Sequence, residues 1–236
     1  MIDKKRVLKV SALVSIIIGG AILYLPLEHS LQQRILEREN RPVPVLASAD
    51  ETKAIVSATL EHLDIEGVPP PPPAPNETPS PRVGKDLVLA DESVCFSRDH
   101  LSEAARSRCD LVDLTILKMV DLDEVAPIKL RQELFIANRE PKKLELKGLP
   151  HTLVVSSADI RALLRRDFWR GFYQKFPGTA GFAEFSRPVL SKDKQTALIY
   201  IGHHCDGLCG FGALILLERT AHGKWSVQKV YGLWQS

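Results

Sequence analysis

Residues 196–218, TALIYIGHHCDGLCGFGALILLE, restrict the fold more than any other stretch. In a strand, successive side chains point to opposite faces. Here both faces are apolar, with Ala197, Ile199 and Ile201 on one and Leu198 and Tyr200 on the other. Such a strand has to be covered on both sides. Residues 213–217 repeat the pattern, and between the two runs His203, His204, Cys205, Asp206, Gly207, Leu208, Cys209 and Gly210 supply turn chemistry. The stretch reads as two strands joined by a glycine-rich, two-cysteine loop.

The N-terminus bears on whether those cysteines pair. Lys4, Lys5, Arg6 and Lys9 precede residues 10–27, VSALVSIIIGGAILYLPL, which carry no charge. At about 1.5 Å per residue this run is roughly 27 Å long as a helix, near the thickness of the hydrocarbon layer. It ends in Leu25, Pro26, Leu27 and Glu28, with no small-residue cleavage site and no lipid-accepting cysteine. The expectation is an uncleaved signal anchor at residues 10–27, behind a cytoplasmic tail of residues 1–9 and ahead of a charged stalk over residues 28–47. A buried core helix is the alternative. With that topology the chain is a single-pass protein of the inner (cytoplasmic) membrane. Its larger part lies in the periplasm or an equivalent extracytoplasmic space, where disulfides persist.

Residues 48–63 have helical spacing of Ile55, Val56, Thr59, Leu60 and Leu63, with Ser48 and Glu51 at capping-box spacing. Residues 68–81, VPPPPPAPNETPSP, favour an extended polyproline spacer; with no basic residue in the proline core, an SH3-type ligand is the less favoured alternative. Residues 86–90 and 152–155 read as short strands. Periodicity leaves residues 111–120 open between helix and strand. Helices are expected over 128–138 and 156–172. The latter turns Ile160, Leu163, Leu164, Phe168 and Phe172 inward, and Arg161, Arg165, Arg166 and Arg170 mostly outward. A strand around 183–190 must sit at an edge or bulge because of Pro188, and residues 225–234 close the sheet. Helices first and an antiparallel meander last imply an α+β domain over residues 48–236.

Cys205 and Cys209 are separated by three residues, which is not the C-x-x-C spacing of thioredoxin-like redox sites. In an oxidising compartment the simplest reading is a structural disulfide fixing the hairpin, with Cys95 and Cys109 as a second pair. Four cysteines allow three connectivities, and local pairing follows only from separation. A metal site would draw on His203, His204, Cys205 and Cys209, but neighbouring strand residues point apart, so no metal is assigned. Ser186, Asp193 and the two histidines are hydrolase residue types without a G-x-S-x-G, H-E-x-x-H or phosphate-loop signature. Hydrophobic content of 44%, charged content of 25% and a net charge of +2 describe a globular chain with no basic stripe, which argues against nucleic acid as a partner. The arginine face of the 156–172 helix is either solvated or laid on anionic lipid.

Residues 168–236 resemble a family of uncharacterised bacterial exported or membrane-anchored proteins. The pattern is an aromatic pair, a Pro-Gly turn, a Ser-Arg strand, a C-G-x-L-C-G-x-G loop and a Trp two residues from the end. The chain matches it at Phe172, Tyr173, Pro177, Gly178, Ser186, Arg187, Ala197, Tyr200, Cys205, Leu208, Cys209, Gly210, Gly212, Trp225 and Trp234, and departs at Asp206, where the pattern has glycine. Residues 48–63, 86–90 and 130–138 also look like the family. The resemblance implies that the proline run is an insertion inside one domain. It implies no activity and no cofactor. The functional expectation is a non-catalytic binding module that contacts an envelope component through His203, His204, Asp206 and Phe211 of the loop and through Arg161 and Arg165. The alternative is an envelope enzyme, metal-assisted or hydrolytic, using the His203/His204/Cys205/Cys209 loop.

Overall fold

The doubly apolar run becomes the strand to which the others attach. A computed structural model of the chain describes residues 43–63, 86–96 and 127–236. In chain order these form β1 (Val45–Leu46), α1 (Ala49–Leu63), β2 (Asp86–Ala90), α2 (Ile128–Ala137), β3 (Thr152–Val155), α3 (Ser157–Lys175), β4 (Thr179–Phe185), β5 (Val189–Leu190), β6 (Thr196–Asp206), β7 (Cys209–Arg219) and β8 (Trp225–Gln235). All eight strands belong to one sheet. β6 pairs antiparallel with β7 along its length on one edge, and shares its other edge between β4 and β5. Beyond β4 the order runs to β2 and β3, and both of these pairings are parallel. β8 closes the side beyond β7, and β1 pairs with β5.

Both faces are covered, as the apolar alternation requires. Ala197, Ile199 and Ile201 of β6 and Ala213, Ile215 and Leu217 of β7 pack with Ile55 and Val56 of α1 and with Leu144, Leu146 and Leu149 of a loop. On the opposite face Leu198, Tyr200 and Leu214 pack with Leu130 and Leu134 of α2. Val88, Ala90 and Phe182 pack there with Ile160, Trp169 and Phe172 of α3. Each fully buried side chain of this size contributes about 1.5–3 kcal/mol. The capping box forms as expected: Glu51 N–H donates to Ser48 Oγ at 3.2 Å, and Ser48 N–H donates to Glu51 Oε2 at 3.1 Å.

The expected α+β arrangement, with a transmembrane helix and helices laid on an antiparallel meander, is corrected to a β-rich fold. The described residues hold three helices against an eight-stranded mixed sheet. The reason is β2: its LVLA run is buried as an inner strand with parallel neighbours on both sides, a pairing that no local pattern reports. The apolar run at 10–27, the stalk to residue 42, the proline run and residues 97–126 lie outside the described residues. Among the described residues no helix is long and apolar enough to cross a membrane.

Pro188 falls where β4 gives way to β5, and the missing ladder bonds are replaced by side chains. Ser186 N–H donates to Tyr200 O at 3.0 Å, and Ser186 Oγ accepts the Tyr200 N–H at 2.8 Å. Asn138, at the end of α2, accepts the Arg187 N–H at 2.7 Å and donates to Arg187 O at 3.0 Å. Ser186 is therefore a backbone partner in this fold, remote from the nucleophile role its residue type allowed.

Candidate functional site

At the far end of the β6–β7 hairpin the side chains become small or polar. Gly202 pairs with Gly212 and His204 with Gly210, so glycines take three of the four positions in two successive rungs on the α2/α3 face. Trp234 of β8 lies opposite Gly212, and its indole occupies the space the glycines leave. A Cβ on Gly212 would collide with Trp234 Nε1 and Cε2, and one on Gly210 would stand 3.2 Å from Trp234 Cζ3. The glycines of the CGFG segment are thus a bed for the last aromatic of the chain.

Polar groups gather beside that indole. Trp234 Nε1–H donates to Tyr200 Oη at 3.1 Å. Glu184 Oε1 and His204 Nε2 are 3.2 Å apart, with the Glu184 side chain 7% exposed and the His204 side chain 24% exposed. Tyr200 Oη, Glu184 Oε1 and His204 Nε2 all lie 3.0–3.2 Å from the point where a Cβ on Gly202 would sit. The His204 ring stacks on Phe182 at 4.8 Å and lies 5.3 Å from the Trp234 ring. Burial, and then the charge of Glu184, push the Tyr200 phenol far above its ordinary range, so it stays a neutral hydroxyl. His204 Nε2 is the ring nitrogen that the carboxylate faces and orients. This is the arrangement of an oriented acid–base pair.

The tip itself is covalently closed. Cys205 and Cys209 form a disulfide with Cα atoms 5.1 Å apart. The strands run to Asp206 and resume at Cys209, so the expected loop is a two-residue turn of Gly207 and Leu208. Tyr173 Oη donates to Cys205 O at 2.6 Å; burial, and then the Asp206 charge, raise that phenol to about 12. Asp206 accepts the Gly207 N–H at 2.6 Å. Leu208 projects from the turn 89% exposed.

Next to it is Phe168, expected to face the core yet 61% exposed. Its backbone has φ 53° and ψ −148°, a region that non-glycine residues enter at a cost of about 1–3 kcal/mol, and it breaks α3 into two segments. The kink turns the Phe168 ring outward to within 3.6 Å of where a Cβ on Gly207 would lie. Trp169 takes the inward place, 9% exposed and stacked on Phe182 at 5.8 Å.

The residues expected to act together are separated. His203 faces α1, 2% exposed, with Nε2 2.7 Å from Ala180 O and its ring 5.5 Å from Phe211. His203 is therefore a core residue unavailable for surface contact, and Phe211 packs beside it on that face. His204 points to the opposite face, as alternation along an unbroken strand requires. Arg161 is turned to Glu92 at 3.5 Å with 15% of its side chain exposed, which removes it from the outer face, whereas Arg165 is exposed. Asp206 stays at the tip. Among the described residues no group of three or more His, Cys, Asp or Glu could hold a metal ion. Cys95 is disulfide-bonded, and its expected partner Cys109 lies outside the described residues. The sequence reading missed Glu184 and the outward turn of Phe168, and it took Leu208 only as part of an exposed loop over 203–211 without singling it out. Glu184 carried a signal, being a lone carboxylate in a strand buried at every position.

Comparisons with protein-family models, with curated proteins and with solved structures each gave no match.

Proposed function

We propose that the chain is an extracytoplasmic, non-catalytic binding module that makes contact through its hairpin tip. The observation that carries this reading is that Leu208 and Phe168, two large apolar side chains, are both exposed at the same turn, Phe168 lying beside Gly207. A disulfide and a tyrosine hydrogen bond hold the first; a strained helix break holds the second. Fixing apolar groups outside the core has no use in packing, and such groups commonly mark contact sites. The disulfide supports a location in an oxidising compartment of the cell envelope, in keeping with the resemblance to exported bacterial proteins. The test is a photo-crosslinking amino acid placed at Leu208, with the same group at Lys224 in the turn joining β7 and β8 as control. Capture from position 208 and not from 224 is the expected result. Equal capture, or none, removes the reading.

A second reading is an envelope enzyme, and the Glu184–His204 pair favours it. A buried carboxylate that orients a part-exposed imidazole is the usual support for a general base. In this reading Glu184 positions, His204 moves the proton, and Tyr200 donates from its neutral hydroxyl. Any turnover found would drop about 100-fold or more in His204→Gln with the melting temperature unchanged. Retention of that turnover would return the pair to a structural role.

A further inference from the structure

We infer that the partner of the tip is an anionic lipid surface, which Leu208 and Phe168 enter while arginines of α3 meet the headgroups. The inference rests on the binding reading above. Six large hydrophobic side chains stand exposed among the described residues, Val43, Leu46, Leu153, Phe168, Leu208 and Val230. At the turn two of them come close, Phe168 lying beside Gly207, the chain neighbour of Leu208. A stable protein interface takes roughly 20–30 residues a side, whereas interfacial insertion works with a few apolar groups on a rigid projection ringed by cations. The tip has that composition. Arg165, Arg166 and Arg170 are exposed within a turn of Phe168. The two carboxylates of the region do not outweigh the three arginines: Asp167 pairs with Arg166 at 2.5 Å, and Asp206 keeps its charge while accepting the Gly207 N–H. Arg165 and Arg170 make no ion pair among the described residues, which leaves a positive rim around an apolar point. Arginine suits this place because its stem lies along apolar surface while the guanidinium reaches phosphate.

The experiment places tryptophan at the tip of the full chain, Leu208→Trp, with Lys224→Trp as control. Quenching is read against vesicles whose lipids carry brominated acyl chains. Phe168→Trp is a second reporter, and Leu208 is so exposed that its replacement leaves the fold intact. Quenching at 208 and 168, absent at 224, is expected with phosphatidylglycerol present and not with phosphatidylcholine alone. Replacing Arg165→Ala and Arg170→Ala together raises the lipid needed for half-quenching about 25-fold, from about five-fold per arginine. Equal quenching by both lipids, or no effect of the arginine changes, overturns the anionic assignment. If position 208 is not quenched yet captures a protein in cells, the module binds and the lipid inference falls. If it is neither quenched nor cross-linked, both readings fall.

Discussion

At Gly212 the absence of a single methyl group determines where the last strand puts its tryptophan. The Trp234 indole fills the space a side chain would need, so Gly212→Ala forces either the indole or the strand to move. Overpacking of this kind costs about 1–3 kcal/mol, read as a drop in the urea midpoint. In a Trp234→Ala background the same change should cost far less, and an undiminished cost there would show that the glycine serves the backbone instead. His203 makes a second prediction. Burial first, and then the neighbouring His204, hold its pKa below the ordinary 6.5, against the pull of its bond to Ala180. The unfolded chain therefore takes up this proton near pH 6.5, whereas the folded chain takes it up only at lower pH. The contribution of His203 to stability is complete above about 6.5 and is lost as the pH falls toward the folded value. Urea midpoints between about pH 7.5 and 5.5 should fall, and His203→Gln, which keeps a donor for Ala180, should flatten that slope. An unchanged slope would place the acid sensitivity elsewhere.

Elements show how far local pattern reaches. The capping box at Ser48 and Glu51 and the two-faced apolar run of β6 are legible because each signal lies within a few residues. The Cys205–Cys209 pairing was favoured by separation, and the hairpin brings the two Cα atoms to bonding distance. The parallel pairing of β2 with β3 and β4 was not legible, because it joins residue 88 to residues 153 and 182. Nor was the kink at Phe168: helical spacing assigned that ring to the core, and the stacking of Trp169 on Phe182 took the place. Pro188 was expected to hold one strand over 183–190 at an edge or bulge; instead the run divides into β4 and β5, both inner strands, and the groups that mend the break come from α2 and Ser186. Asn138→Ala leaves the Arg187 N–H and C=O without their side-chain partner and should cost about 1–3 kcal/mol per group left unsatisfied, measured by denaturant unfolding. The hairpin tip is worth less. Replacing Cys205→Ser and Cys209→Ser removes a small ring that the loop-entropy relation values at about 2 kcal/mol. Mass mapping of protein alkylated at harvest should find neither thiol labelled, and labelling of both would end the case for an oxidising location.

Across the whole molecule the two faces of the sheet are unequal in what they leave open. The α1 face is a continuous apolar layer, whereas the opposite face carries two apolar clusters, one under α2 and one under α3, and it also holds Glu184, His204 and Trp234. Strand position then orders local stability. β6 is bonded on both edges and buried from Ala197 to His203, while β3 and β8 are edge strands with exposed residues such as Leu153 and Val230. Opening an edge strand breaks one ladder, but opening β6 breaks three pairings and both core layers, so it amounts to global unfolding. Hydrogen exchange should therefore find the slowest amides at 197–203, and faster exchange in β3 and β8. Reduction of the disulfide should speed exchange at 206–210 and leave 197–203 at the global rate, because the tip contributes to neither core layer. If reduction also released 197–203, the tip would be part of the cooperative core, and the exposure of Leu208 would no longer separate binding from folding.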